Sequence, residues 1–545
     1  EGGYKRILGF QRHVRQVVPY TASNSEEVLM VTTFANKVVA ARGTKIWSSA
    51  STTLGTDTTA AIAANTAMTG SGTITVESTA GFSSSGTLQI NDEQFTYTGV
   101  TSTTFTGVTR AVSSTTAAAH AQSGDTNITP VSESWTSRDT GRTGATKYSF
   151  ERFNFDGNDK LIVVDGANDP TVFSTALAAT DVTESSVEGA SLVAAYREHM
   201  FYAGMSSTPQ EVVFSQPFDE DAFSSGSGAG SIKVDDTIVG LKVFRENLFI
   251  FCENRIFKLT GSSSSDFAVA PVTRDIGCIN GKTIQEFAGD LIFLGPDGLR
   301  TVAGTARIGD VELGTISANV QSIFDENIIN AAAFESVVIP NKTQYRLFFS
   351  KQGGAESKTE GIICVLKNQA SGQAGYEFST IKGMKPAASD TFIKTGDVLV
   401  LHGGFDGFIY RQEQGTTFDG NAVNGRYRSP DLTMNDPGIR KHMQRVIVNF
   451  KPESTIDADL FVRYDYEAAG SSRPAAYALD STNIAGIYGT STYGTPTYGG
   501  PSQPLVRQPV EGSGFAVALR VNDGGATAPY SLKGFQLEYQ LGERR

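Results

Sequence analysis

Residues 247–259 read "NLFIFCENRIFKL". Leu248 to Phe251 is a continuous apolar run of residues that favour strands, and it is too short for a helix. Glu253-Asn254-Arg255 breaks the run, and Asn254 belongs to the residue types that tolerate a positive φ in a turn. Ile256, Phe257 and Leu259 then resume around Lys258. The stretch predicts a β-hairpin whose first strand is buried on both faces.

The phrase recurs along the chain. "NKVVAARGTKIW" starts at Asn36, "DKLIVVDGANDPTVF" at Asp159, "EHMFYAGMSSTPQEVVF" at Glu198 and "GDLIFLGPDGLRTV" at Gly289. "TQYRLFFSK" and "EGIICVLK" lie between Thr343 and Lys367, and "GDVLVLHGGFDGFIY" starts at Gly396. Successive copies are roughly 40–55 residues apart, the period of propeller blades. A blade of about four short strands needs apolar inner strands because they face neighbouring blades. The pattern therefore predicts an all-β chain built on a propeller of about six or seven blades; a sandwich meander of unrelated hairpins is the alternative.

Composition agrees with a β protein. The chain has 545 residues and 57 glycines, with Ser/Thr-rich turns and almost no helical periodicity. One short helix is expected in "SANVQSIFDENI", with Ser317 as its cap and Val320, Ile323 and Phe324 on one face. No apolar run reaches the roughly 18 residues of a membrane-spanning helix, and no charged-then-apolar leader follows Glu1. Cys252, Cys278 and Cys364 stand singly without a CxxC, which predicts buried thiols. With 45 Lys and Arg against 57 Asp and Glu, the net charge is −12, which argues against a surface built to grip nucleic acid.

Four segments are expected. Residues 1–49 begin the propeller, and 50–132 are an inserted small β module with flexible linkers. Residues 133–415 complete the propeller, and 416–545 form a C-terminal β-sandwich. Residues 50–68 are mostly Ser, Thr, Ala and Gly, the composition of a flexible linker. From Gly72 to Gly124 the pairs Ile74/Val76, Leu88/Ile90 and Phe95/Tyr97 alternate as strands do. In the last segment, "HMQRVIVNFKP", "ADLFVRYDYEA", "GFAVALRVND" and "YSLKGFQLEYQL" read as four long strands. Between them "IYGTSTYGTPTYGGPSQP" places Tyr488, Tyr493 and Tyr498 five residues apart. This tract reads as an arm, and its tyrosines are candidate subunit contacts or anchors on the arm's own sandwich.

Chemistry is sparse. His13, His120, His199, His402 and His442 are scattered without metal-ligand spacing, and no nucleophile, phosphate-loop or dinucleotide motif occurs. "NFDGND" offers Asn154, Asp156, Asn158 and Asp159 at calcium-loop-like positions, but its glycine is misplaced and an Asx-rich turn is the plainer reading. "SRDTGRTG", from Ser137, is a degenerate match to the Asp-box of sialidase-type propellers. No enzyme activity, cofactor or metal is expected.

The opening "EGGYKRILGFQR", the stretch "YSFERFNFDGNDKLIVVDGANDPTVF", the "YGTSTYGTPTYGG" arm and the ending "YSLKGFQLEYQLGERR" resemble virion proteins of tailed bacteriophages. More narrowly, the chain resembles the tail hub or nozzle (tail tube) proteins of short-tailed, podovirus-type phages. The inserted module is similar to one found in many phage structural proteins. This resemblance implies a ring, usually a homo-hexamer, in the virion tail, assembled in the host cytoplasm. The ring would lie below the portal and adaptor and beside tail fibres or tailspikes. It would seal the packaged genome, let DNA pass without specific binding, and meet the host envelope during infection. The alternative is a tail receptor-binding, glycan-binding or glycan-cleaving propeller.

Overall fold

The computed structural model describes the chain except at residues 1–3, 15, 21–25, 50–55, 57, 91–92, 121–127, 131–134, 303–314, 326–330, 332, 351–358, 369–373, 395–396, 452–457, 468–473, 480–504, 525–529 and 545. It separates into two units, residues 12–411 and residues 1–11 with 412–545.

In the first unit the opening hairpin sits inside an antiparallel sheet, Ile238–Phe244, Asn247–Cys252, Ile256–Thr260 and Ala268–Thr273. Leu248 faces Leu259 and Phe251 faces Ile256 across the hairpin. Strand side chains alternate between faces, and here each face meets a different neighbour. Leu248, Ile250 and Cys252 pack with Ala194, Phe201 and Phe214 of the preceding sheet. Phe249 and Phe251 pack with Leu291 and Phe293 of the following one. A strand buried on both sides must be apolar throughout, which is why the phrase has no polar alternation.

Seven such sheets follow one another among the described residues, making a seven-bladed propeller. Blade 1 holds Val28–Phe34, Lys37–Arg42, Lys45–Ser49 and Trp135–Thr140. Blades 2 and 3 lie within 149–181 and 192–233, and blade 4 is the sheet above. Blade 5 has three described strands within 285–301, and blade 6 spans Ala333–Ile339 to Ala374–Lys382. Blade 7 holds Pro386–Lys394, Asp397–Gly404 and Ile409–Gln412, and the strand Phe10–Val14 adds to its outer side. The ring closes where Val31 and Val38 of blade 1 pack with Leu399 and Leu401 of blade 7 and with Val14 and Val18.

The turn chemistry differs from expectation. Asn254 is not among the residues with positive φ. Its backbone N–H and side-chain amide donate to the Asp236 carboxylate at 2.7 and 3.3 Å, which holds that turn. Left-handed backbone occurs one hairpin earlier, at Arg245 (φ 45°) and Glu246 (φ 62°). The same paired geometry recurs at Ala35-Asn36, Arg197-Glu198 and Ala288-Gly289. Two-residue turns of this hand match the twist of the strands they join. The expected helix is also reduced, to the single turns Ala318–Val320 and Gln321–Ile323. Ser317 does not cap it; its hydroxyl accepts the Leu299 N–H at 3.1 Å instead.

The inserted module has its own sheet, with strands between Thr69 and Arg110 and a final pairing at Thr129–Pro130. Ile74, Leu88, Ile90, Phe95, Phe105 and Val108 form a core of their own. The expected linker is in part structured: Thr56 pairs with Ile128, Thr58 with Val76 and Ile62 with His120. Ile62 and Met68, apolar residues in that small-residue tract, are drawn into the module's core.

The second unit is a sandwich. One sheet holds Tyr4–Lys5, Ser531–Arg544, Ile439–Lys451 and Leu505–Pro509; the other holds Gly425–Arg428, Val517–Asp523, Ala458–Tyr464 and Tyr477–Ala478. Val446, Val448, Leu460, Val462, Leu519 and Leu532 lie in the core between them. Residues 1–11 group here and not with the propeller, which corrects the expected 1–49 boundary. Tyr4 and Lys5 pair with Leu532 and Ser531, and the buried Arg6 guanidinium meets Asp523 at 2.7 Å. In sequence, the propeller is thus inserted after the sandwich's first strand.

Ser49 and Trp135 are direct cross-strand partners in blade 1, so the module replaces a simple hairpin turn. Replacing residues 50–134 by a short Gly/Ser turn should leave the propeller folded, with a melting midpoint lowered by no more than about 5 °C. Collapse of the cooperative transition in that variant would contradict the module's independence.

Candidate functional site at the propeller axis

The first strands face the axis, and neighbours among them lie side by side, as Val28–Phe34 of blade 1 does beside Pro386–Lys394 of blade 7 and Ala333–Ile339 of blade 6 beside the same strand. They carry more polar side chains than the second strands, and a buried polar group must find a partner. Arg152 of blade 2 reaches blade 1 and, beyond it, blade 7. Its Nε donates to the Thr33 carbonyl of blade 1 at 2.8 Å, and its Nη2 donates to Thr32 Oγ1 and to Asp390 of blade 7. Thr32 Oγ1 in turn donates to Asp390 Oδ2 at 2.9 Å. The guanidinium also lies over the rings of Phe150 and Phe392, at 5.4 and 5.5 Å.

A second brace spans blades 5 to 7. Glu335 Oε1 accepts both the backbone N–H and the hydroxyl of Ser389 at 2.8 Å, while Lys282 Nζ lies 3.3 Å from Oε2. Gln285 Nε2 donates to the Ser336 carbonyl at 3.2 Å, and Thr391 Oγ1 donates to the Val338 carbonyl at 2.7 Å. Burial raises the carboxyl pKa of Asp390 and Glu335, opposed by Arg152 and Lys282 respectively. Burial likewise raises Glu151, opposed by Lys242 of blade 4 and by Arg152. The braces tie Asp390 and Glu335 to opposite charges from other blades, which holds the blades in register.

The candidate arm tyrosines Tyr488, Tyr493 and Tyr498 lie outside the described residues. The histidines serve separate local roles. His199 Nδ1 is 2.6 Å from the Ser215 carbonyl, and His402 stacks on Tyr410 with centroids 5.1 Å apart. His120 joins a buried cluster in the module: Glu93 accepts from Arg110 at 2.7 and 2.8 Å and from the Ala118 N–H at 2.9 Å, with His120 Nε2 also 2.9 Å away. Burial alone would raise Glu93, but Arg110, the Ala118 N–H and His120 together bring it down to about 2.

The three cysteines are buried, and burial pushes Cys252 and Cys364 up to about 12 and Cys278 to about 11. The "NFDGND" segment is an Asx turn: Asn154 Nδ2 donates to Asp159 at 2.8 Å, and the Asn158 N–H to Asp156 at 3.1 Å. Asp139 of the Asp-box-like stretch accepts from Arg142 Nε at 2.6 Å, and Arg142 also meets Asp165 of blade 2 at 3.2 Å. That stretch joins blades 1 and 2.

No protein-family model matches the chain, and no curated protein matches it. Among solved structures it is similar to the N-terminal domain of Nup159, at 9% identity and a TM-score of 0.31, covering 49% of this chain and 81% of that one. It is also similar to Raptor of Chaetomium thermophilum, at 8% identity and a TM-score of 0.32, covering 65% of this chain and 28% of that one. Hsv2 of Kluyveromyces lactis gives 8% identity and a TM-score of 0.28, with 65% and 98% covered.

His13, on the strand that completes blade 7, and His402 are both held at about 3, first by burial and then by Arg411 and Arg346 respectively. Each is neutral when folded and takes up a proton on unfolding below its ordinary value of about 6.5. The stability they contribute is therefore present above that value and is lost as pH falls toward 3, by about 2 kcal/mol per histidine at pH 5. The raised carboxyls of Asp390, Glu335 and Glu151 act in the opposite sense, so the readout is a slope. Thermal midpoints of His13→Gln and His402→Gln should fall less than wild type between pH 7.5 and 5. Parallel slopes in all three proteins would contradict this assignment.

Proposed function

We propose that the chain is a structural subunit of a short-tailed bacteriophage virion. In this reading it belongs to a ring-shaped tail hub or nozzle below the portal and adaptor, retaining packaged DNA and later forming the ejection conduit. The axis carries the argument. Arg152, Asp390, Lys282 and Glu335 act as braces between blades, the arrangement suited to a stiff wedge that bears load in an assembly. Stiffness at the centre leaves partner contacts to the loops, the inserted module and the sandwich. The net charge of −12 supports the same reading, because an acidic wall repels phosphate and lets a duplex slide. At a Debye length of about 8 Å in physiological salt, that repulsion acts close to the wall.

The test is to purify the particles produced with this chain and label them with antibody against it. The reading expects several copies per particle, with label confined to the tail vertex. Absence from particles, or turnover of bacterial polysaccharide abolished by a single Asp or Glu substitution, would contradict it.

A further inference from the structure

The outer face of the sandwich's second sheet gathers arginines from three strands. Arg426 and Arg428 lie on Gly425–Arg428, Arg520 on Val517–Asp523 and Arg463 on Ala458–Tyr464. Arg428 stands directly across from Arg520, and Arg520 across from Phe461. The alternate residues Tyr427, Leu519, Val521, Leu460 and Val462 face the core, so strand periodicity fixes the arginines outward. The guanidiniums of Arg520 and Arg463 sit over the Phe461 ring, at 4.0 and 5.3 Å.

This grouping costs stability. Like charges directly across a strand pair repel. The Arg520 pKa is lowered by burial and then by Arg426, Arg463 and Arg428. Two carboxylates are placed to offset the charge, Asp459 on the same face and Asp431 at 3.5 Å from Arg428. A sheet that tolerates such a conflict is expected to use it. Arg520 is half-buried, and Arg463 is buried, with its guanidinium donating to the Val462 and Pro474 carbonyls at 3.1 and 3.0 Å. Arg426 and Arg428 are exposed, and they are the part of the face open to an anionic partner.

The complementary charge is in the propeller unit. The loop "FDED", Phe218–Asp221, has Phe218 61% exposed with φ 66°, and Asp219 and Asp221 are exposed beside it. Glu220 turns inward to Lys160 at 2.8 Å. The Asp221 backbone N–H donates to Asp219 Oδ1 at 3.5 Å, which holds the two residues together at the tip. The tip therefore offers two close carboxylates and an aromatic ring, groups that guanidiniums bind well.

We propose that the arginine face is a subunit contact that receives the Phe218–Asp221 loop of a second copy of this chain. The contact is heterologous, each copy giving its loop and receiving the next, and such contacts build rings or open filaments. A nucleic acid fits less well. The Phe461 ring is covered by two guanidiniums and offers no stacking platform, and Asp459 shares the face. The inference deepens the ring reading above, but its test reads association alone. Failure here leaves a virion role through other surfaces open, whereas absence from particles would leave this contact intact.

Two variants of the full chain test it: Arg426→Glu with Arg428→Glu, and Asp219→Arg with Asp221→Arg. All four side chains are exposed, and circular dichroism and melting check the fold. Sedimentation velocity across a concentration series should show wild-type association that weakens as salt rises from 0.05 to 0.5 M. Each variant alone should associate at least about tenfold more weakly. An equimolar mixture of the two should regain association, because each supplies the complement of the other's reversed surface. A wild-type monomer at all concentrations, or unchanged association in either variant, would overturn the proposal. So would rescue in one chain carrying all four changes without rescue in the mixture, which would mean a contact within one chain. Binding of a labelled DNA duplex that is lost in the arginine variant while self-association is unchanged would assign the face to phosphate instead.

Discussion

Burial of the second strand of each blade on both faces is the constraint from which the propeller follows. In blade 2, Leu161 and Val163 pack toward blade 1 while Ile162 and Val164 pack toward blade 3. In blade 5, Leu291 and Phe293 face blade 4 while Ile292 and Leu294 face blade 6. A sheet with two apolar faces cannot end the series, because its free face would remain in water at about 25 cal/mol for each Å² exposed. The series must therefore return on itself. The return is the meeting of blades 7 and 1, with Val14 and Val18 from the start of the chain packed into the seam.

Closing the ring brings the first strands together at the centre, where polar side chains lose water. Each must then be answered by a neighbour, and the answers come from other blades: Arg152 by Thr32 and Asp390, Glu335 by Ser389 and Lys282. Arg152 and Lys282 keep part of their surface in water while their carboxylate partners are largely withdrawn from it, so removing either cation leaves a poorly hydrated carboxylate without its opposite charge. The axis is thus a set of mutual braces, and the surfaces free to engage partners lie outside it. The proposed role in an assembly rests on this stiffness at the centre.

The sequence displayed the second strands because two-sided burial writes itself as uninterrupted apolar runs. The runs at Asn36, Asp159, Glu198, Asn247, Gly289, Thr343 and Gly396 fall on the second strands of blades 1 to 7 in order. The first strands were less legible, since stretches such as "SFERF" mix packing with axial polar contacts. The braces left no local signal: Arg152 and Asp390 are 238 residues apart. Tyr4–Lys5 is too short to show a period, so its place in the sandwich could not be read. Ile62 and Met68 were hidden in a tract whose composition suggested a linker. The arginine face leaves no sequence signal for a related reason. Its members are single residues on three strands, brought together only by strand pairing, in a chain whose net charge pointed the other way.

Amide hydrogen exchange, followed peptide by peptide by mass spectrometry, tests the closed ring most directly. The second strands, including Leu161–Val164, Leu248–Cys252 and Leu291–Leu294, should exchange last and together, because each is held from both sides. Residues 12–14 should be protected to the same degree as 399–401 of blade 7. Fast exchange at 12–14 while both 28–34 and 399–401 stay protected would contradict closure through the N-terminal strand.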